Sequence, residues 1–320
     1  MIISRTPYRL SFFGGGTDYN QWYENHGGLV LAVGLKHYCY ITVRNLPPFF
    51  EHKHRIVYSK MEHVQSINNI NHPSVKACLK FKNINNGLEI HYDGDLPARS
   101  GIGSSSSFTV GLLNSLSNFK NQNISNSELA KQAIHIEQDV LNESVGVQDQ
   151  IMSATGGFQS IILNKNQTWA TEAFSLSKDY MKNLESHILL GFSGLSRLAD
   201  KHARKKIANI KKNKTNSELN TILDIAKEAR SFFKNEADLD KIGKLLHLSW
   251  QEKKRLADGV SNNLVDEIYN VAENNGAFGG KLMGAGGGGF FFFIAPPEKH
   301  KKIRESLDKI KVWVPFKIDY

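Results

Sequence analysis

Residues 97–107 read PARSGIGSSSS, and from Ser104 onward the apolar residues take up a helical period, with Phe108, Leu112, Leu116 and Phe119 on one face. A glycine turn that feeds directly into a helix presents the free N–H groups of the first turn and the positive end of the helix dipole. That combination attracts anions. Four consecutive serines add hydroxyls suited to phosphate oxygens or to a metal ion. On this stretch alone, Ser104 also reads as a plain helix cap and the glycines as a plain turn. It is not a Walker A loop, because no Gly-Lys-Ser/Thr follows.

The same stretch divides the chain by element type. Before it, residues 29–33, 38–43 and 88–92 are rich in β-branched and aromatic residues and predict strands, with a proline-containing loop at 45–54. After it, Ser125-x-x-Glu128 marks a helix start, and the helix continues through Leu129, Ala133, Ile136 and Val140. Residues 187–192 resume strand character. Helices are expected at 197–210, 217–234 and 241–255, then a buried strand in FFFFIA (290–295), an amphipathic stretch near 301–310, and a last strand at 312–318. Strands and helices mix without a regular βαβ alternation, so the fold class is α+β. The expected division is a first domain at 1–185 and a second at 186–320.

Two further glycine segments flank the central one. Residues 7–18 read PYRLSFFGGGTD and residues 281–290 read KLMGAGGGGF. Glycine permits positive φ and close backbone approach to a ligand, and three such segments bordered by hydroxyl or charged side chains suggest one assembled phosphate site. Glu137 lies in the row Ala130, Ile134, Glu137, Leu141, a carboxylate on an apolar stripe. Such a group needs a partner, either a metal ion or an arginine. Asp149, in VGVQDQ (145–150), reads as a general base or as a helix cap. Arg9 reads as a partner for Asp149 or for phosphate.

Bulk properties narrow the class. The 320 residues are 40% hydrophobic and 22% charged, as in ordinary globular proteins. Only Cys39 and Cys78 occur, with no CxxC spacing, which argues against a disulfide framework or thiolate metal site and for a cytoplasmic setting. No apolar run approaches the roughly 20 residues that span a bilayer. The net charge is +9, and its one dense stretch is residues 201–214, KHARKKIANIKKNK. That stretch reads as a solvated helix face or as attraction for an anionic ligand. Nothing interleaves aromatic and basic residues as a nucleic-acid module would.

Taken together and in order, the three glycine segments resemble the motifs of the GHMP small-molecule kinases, the group of galactokinase, homoserine kinase, mevalonate kinase and phosphomevalonate kinase. The resemblance covers essentially the whole chain. It implies an N-terminal domain like ribosomal protein S5 domain 2 and a ferredoxin-like C-terminal domain. It implies ATP and Mg²⁺ as cofactors, with Gly101, Gly103, Ser104, Ser105 and Ser106 around the ATP phosphates and Ser105 also joining Glu137 on the metal. Asp149 would be the catalytic aspartate, with Arg9 beside the reacting hydroxyl. Gly15, Gly16, Thr17 and Asp18 would meet the acceptor, together with Gly286 of the last segment.

Gly15-Gly16 replaces the Glu-His that precedes Thr-Asp in galactokinases, which points away from galactose. FFGGGTD, with IEQDVLNESVGVQDQ (136–150) and GFSGLSRLA (191–199), is similar to the bacterial heptose-phosphate kinase branch. That branch implies a sugar-phosphate acceptor, D-glycero-D-manno-heptose 7-phosphate, phosphorylated at its anomeric hydroxyl. Ser196 and Arg197 are then expected to hold the distal phosphate, with Arg99 and the basic residues at 201–206 behind them. The alternatives are an unphosphorylated sugar (fucose, a uronic acid or an N-acetylhexosamine) or a non-catalytic sugar and ATP sensor. The expected partner is this small molecule, with no nucleic acid and no membrane, for a monomer or homodimer.

Overall fold

The first strand follows from period-two alternation. In β1 (Ile2–Phe13) Tyr8, Leu10 and Phe12 enter the core on one face, while Arg9 and Ser11 take the other. The computed structural model describes residues 1–194 and 199–319. The expectations for Ser196 and Arg197 therefore lie outside the described residues.

β1 belongs to a seven-stranded sheet with β2 (Gly28–Asn45), β3 (His54–Val57), β4 (Met61–Val64), β5 (Leu88–Gly94), β6 (Phe158–Leu163) and β7 (Trp169–Ala173). The order is β4-β3-β5-β2-β6-β7, with β1 antiparallel to β2. Only β3 and β5 run parallel. The second sheet orders β11 (Val312–Val314), β8 (Ile188–Phe192), β10 (Phe290–Ile294) and β9 (Gly279–Leu282), all antiparallel. The helices are α1 (Asn20–His26), α2 (Pro73–Phe81), α3 (Ser104–Phe119), α4 (Asn126–Ile134), α5 (Gln148–Thr155) and α6 (Lys178–His187) in the first half. They continue with α7 (Ala199–Lys211), α8 (Asn216–Lys234), α9 (Leu239–Arg255), α10 (Asn263–Asn274) and α11 (His300–Ser306). Among the described residues no helix is long and apolar enough to cross a membrane.

The expected α+β class holds, and several elements differ in detail. The two strands expected at 29–33 and 38–43 are one, β2, because the residues between them keep backbone partners: Gly34 N–H donates to Gly157 C=O and Lys36 N–H to Lys317 C=O. In 7–18 only the part after Phe13 is a loop; the rest is β1. The final strand stops at Val314 and is followed by a single bridge between Leu35 and Ile318. The Ser125 cap forms, with Ser125 Oγ accepting from Glu128 N–H at 3.2 Å. The helix it starts changes character at His135, where a π-helical turn (His135–Val140) takes over.

α3 is buried on nearly every side. Gly111 lets it lie against the sheet, where an added Cβ would meet Thr6 Oγ1 at 2.8 Å. A division at 185 and 186 would cut α6, immediately before β8 opens the second sheet. The core does not stop there: the Phe12 ring of β1 packs on Phe158, on Phe233 of α8 and on Phe292 of β10, with centroids 5.3 to 5.6 Å apart.

Candidate active site

The central glycine loop is shaped by two close approaches. Gly101 (φ 90°) leaves no room for a side chain, since its Cβ would lie 2.8 Å from Met283 C=O, and Gly284 in turn would place a Cβ 2.6 Å from Gly101 Cα. Phe290 N–H donates to Ser100 C=O at 3.0 Å. The C-terminal glycine segment is thus packed directly behind the central glycine loop. Gly103 (φ 75°) is the N-cap of α3, and Ser104 Oγ accepts from Arg99 N–H at 3.0 Å. The loop carbonyls are held and the N–H groups of the first helical turn remain for an anion.

Arg9 locks this loop to the next element. Its N–H donates to Ile102 C=O at 3.1 Å, and one guanidinium nitrogen donates to Gly101 C=O at 2.7 Å. The remaining two grip both oxygens of Asp149 at 2.7 Å each, a two-pronged ion pair of the strong kind. Asp149 lies in the first turn of α5. A Cβ at Gly103 would stand 3.1 Å from Arg9 Cγ and 3.5 Å from Asp149 Oδ2, so loop, arginine and aspartate are neighbours. The Arg9 side chain is 4% exposed, whereas that of Asp149 is 25% exposed and opens on the cavity.

The first glycine turn supplies the opposite wall. Gly15, Gly16 and Asp18 line the cavity. Asp18 is buried, accepts from Gly16 N–H at 2.8 Å, and its carboxyl is pushed above the ordinary range by burial. Thr17 departs from expectation: it is fully buried, donates to Gly14 C=O at 2.8 Å and accepts from Leu29 N–H, so it braces the turn rather than facing an acceptor. Gly286 departs likewise. Its Cβ would strike Val260 Cα at 2.6 Å, which places it against the turn between α9 and α10, and it is not among the residues that line the cavity.

Glu137 sits on the π-helical turn, whose wider winding brings its carboxylate inward against α3. The serine that meets it is Ser106, whose Oγ donates to Glu137 Oε2 at 2.8 Å; Gln150 Nε2 donates to the same oxygen. Ser105, expected to share a metal with Glu137, is exposed one helical step away and lines the cavity instead. Along a helix, successive side chains are turned about 100° apart, so only one of the two serines can face Glu137. Burial raises the Glu137 carboxyl to about 8, helped by nearby Glu143.

Among the described residues no group of three or more His, Cys, Asp or Glu side chains gathers as a metal site. The donor set nevertheless suits Mg²⁺, which is commonly held by one or two carboxylates plus substrate phosphates. Glu137 Oε1 and Gln150 Oε1 are both buried without a hydrogen-bond partner, and all the donors present are oxygen.

Arg9, Gly15, Gly16, Asp18, Gly101, Gly103, Ser104, Ser105 and Asp149 line a cavity of about 440 Å³, whereas Glu137, Ser106 and Gln150 are buried and outside its lining. Three of its walls carry buried lysines: Lys206 of α7, which ends the basic stretch 201–206 expected behind the distal phosphate, and Lys253 of α9 and Lys281 of β9, which the motif reading gave no role. Burial lowers Lys206 to about 8 and Lys281 to about 7, and holds Lys253 well below the usual lysine range. A signal for two of them was present. Lys206 falls between Ala203 and Ile210, and Lys253 between Trp250 and Ala257, at helical spacings on apolar rows. That is the argument that singled out Glu137, applied to the opposite charge.

The chain matches the family models for the GHMP kinases N terminal domain over residues 72–157 and for the GHMP kinases C terminal domain over residues 229–311. It is 28% identical over 300 residues to the D-glycero-alpha-D-manno-heptose 7-phosphate kinase of Campylobacter jejuni, covering 89% of this chain and 86% of that protein. It is 28% identical over 249 residues to the galactokinase of Pyrococcus furiosus, covering 69% and 68%. Its fold matches the crystal structure of a D-glycero-D-manno-heptose 1-phosphate kinase from Bacteroides thetaiotaomicron with a TM-score of 0.81 at 21% identity, over 99% of this chain and 96% of that one. The two family matches flank the cavity, the first holding the phosphate loop, Glu137 and Asp149 and the second Lys253, Lys281 and the last glycine segment. They take in more than half of the 320 residues, and the chain belongs to the GHMP kinases.

Proposed function

We propose that the chain transfers the γ-phosphoryl group of ATP to the anomeric hydroxyl of D-glycero-D-manno-heptose 7-phosphate, giving the 1,7-bisphosphate used to make GDP-heptose for surface polysaccharide. The observation that carries this reading is Asp149, locked by Arg9 beside Gly103 and open to the cavity. Gly101, Gly103 and the serines of the first α3 turn receive the donor phosphates through backbone N–H groups and hydroxyls. Asp149 takes the proton of the attacking hydroxyl as its oxygen bonds to the γ-phosphorus and the bond to the β-phosphate oxygen breaks. An anomeric hydroxyl is more acidic than an ordinary alcohol, so a carboxylate is an adequate base. Arg9 holds that base in one orientation, and positioning of this kind is most of what phosphoryl transfer requires. Ser106 and Glu137 are the residues that would hold Mg²⁺, which when bound neutralises charge on the donor phosphates.

The similarity to the Campylobacter jejuni protein supports a heptose acceptor, and the buried cationic wall supports one that is anionic. Release of ADP across a panel of sugars and sugar phosphates, with phosphorus NMR of the product, tests the reading. Fastest turnover of heptose 7-phosphate, with the new phosphate at the anomeric carbon, is expected. Preference for fucose, a uronic acid or an N-acetylhexosamine would replace it. Binding of sugar and ATP without any ADP release would leave the sensor reading.

A further inference from the structure

The buried end of the cavity carries more positive charge than the described residues neutralise. Arg9 is committed to Asp149. Lys206, Lys253 and Lys281 arrive from three separate elements, each is more than nine-tenths buried, and all three line the cavity. Among the described residues none of them makes an ion pair. Lys253 Nζ donates to Leu282 C=O and Lys281 Nζ to Phe12 C=O, both at 2.9 Å, and one neutral carbonyl satisfies one of the three donors of an ammonium group. Asp18 is the carboxylate whose attraction all three feel; Lys253 and Lys281 also feel repulsion from neighbouring cations.

Burying unpaired ammonium groups is expensive unless a counter-ion arrives. Burial pushes the three lysines toward the neutral form while the site is empty. When a ligand keeps all three protonated against an ionised Asp18 the surplus is two positive charges, and a phosphate monoester brings about −1.5 to −2 at neutral pH. A carboxylate would neutralise only half of it, and a neutral sugar none. The donor phosphates have a cradle of their own in the Gly101 turn and the α3 N-terminus, while each of the three lysines feels the attraction of Asp18 across the same cavity.

We infer that Lys206, Lys253 and Lys281 form the subsite that grips an anionic group of the phosphate monoester class already carried by the acceptor. The inference rests on the sugar-phosphate reading above and assigns the grip to buried lysines on α7, α9 and β9 rather than to Ser196 and Arg197. Lysine suits the task because its compact charge and three donors can turn toward phosphate oxygens, while its carbonyl contact holds it in place beforehand.

Calorimetric titration in the presence of a non-hydrolysable ATP analogue and Mg²⁺ tests it, with inorganic phosphate, heptose 7-phosphate and free heptose as the three probes. In Lys206→Met and Lys281→Met, affinity for inorganic phosphate and for heptose 7-phosphate should fall about 10- to 100-fold while free heptose changes less than about threefold, as expected for loss of a charged hydrogen bond. Lys206→Arg should recover most of the loss, which also guards against a variant that fails to fold. Unchanged phosphate affinity in both methionine variants would overturn the inference, as would free heptose weakening as much as the phosphorylated probes. If phosphate affinity falls in the variants but wild type binds free heptose as well as heptose 7-phosphate, the lysine subsite stands and the heptose 7-phosphate reading falls.

Discussion

Replacing Asp149 with asparagine separates the structural duty of the Arg9–Asp149 pair from its chemistry. The asparagine side chain has the same shape, yet it presents an amide N–H₂ to a guanidinium that can only donate, so at least one of the two 2.7 Å contacts is lost. Arg9 is 4% exposed and retains its bond to Gly101 C=O. Removing one partner of a fully buried pair costs about 3–5 kcal/mol; with a quarter-exposed aspartate and one guanidinium contact intact, the cost falls to roughly 1–3 kcal/mol. Loss of a positioned general base lowers turnover by about 10²- to 10⁴-fold.

The two effects are read separately. Thermal or denaturant unfolding of Asp149→Asn should show a modest destabilisation, and ADP release should fall by at least a hundredfold or so, in keeping with a lost base. Affinity for ATP should stay near that of wild type, because the loop and the α3 N-terminus are untouched. Asp149→Ala should behave alike in turnover and lose somewhat more stability. Near-wild-type ADP release by a folded Asp149→Asn protein would refute the base assignment. A large loss of ATP affinity would show instead that Asp149 acts by shaping the phosphate loop through Arg9.

Three further outcomes follow from the same geometry. Glu137 has a carboxyl raised to about 8, so the metal-free protein binds a proton there that the unfolded chain releases near 4.5; this contribution to stability is full below about 4.5 and is lost as pH rises through 8. Denaturant unfolding in chelator at pH 6 and 8.5 should therefore show a pH slope that Glu137→Gln flattens, and an unchanged slope would mean the carboxyl is not buried as described. Gly101→Ala forces a Cβ to within 2.8 Å of Met283 C=O at a positive φ, and should weaken ATP binding while costing about 1–3 kcal/mol of stability, measured by nucleotide titration and unfolding. Gly286→Ala meets Val260 Cα at 2.6 Å and should destabilise without changing the KM ratio between sugars, since Gly286 does not line the cavity; a selective rise in KM for the acceptor would return it to the substrate site.

What could be read beforehand was set by how local each signal is. The glycine loop feeding α3, the Ser125 cap and the α8 and α9 periods depend on residues within a turn or two, and they appear close to where the sequence puts them. The pairing of Arg9 with Asp149 crosses 140 positions, and it was suggested only as one of two partners for Arg9. The choice between Ser105 and Ser106 was not legible, because in a run of four serines composition is silent and the facing residue depends on the phase of α3 against the π-helical turn at Glu137. α10 was legible, since Val265, Ile268, Tyr269 and Ala272 keep a helical period behind the Asn262 cap, and it was passed over. The short helices α1, α2 and α6 went unseen for a related reason. Each is held by packing on a larger neighbour rather than by a long period of its own.

The buried lysines tie the two sheets to one ligand. Lys281 belongs to β9 of the second sheet, yet its ammonium group bonds to Phe12 C=O at the end of β1 in the first. Gly101 and Gly284 make a second crossing, backbone to backbone, behind the phosphate loop. The cavity is therefore lined from both sides, and its lysines are desolvated even before a ligand enters. A ligand that brings negative charge there relieves that desolvation as well as making contacts, so it should stabilise the folded chain in proportion to its affinity. Occupancy and cohesion of the two halves are thus linked: an anionic acceptor draws on α7, α9 and β9 at once, while the donor phosphates draw on α3 and on the glycine segment packed behind it. On the proposed reading transfer between them requires both halves in register, and the Arg9–Asp149 pair, anchored in β1 and α5 and bonded to the Gly101 loop, is the contact that ties the glycine loop to the proposed base.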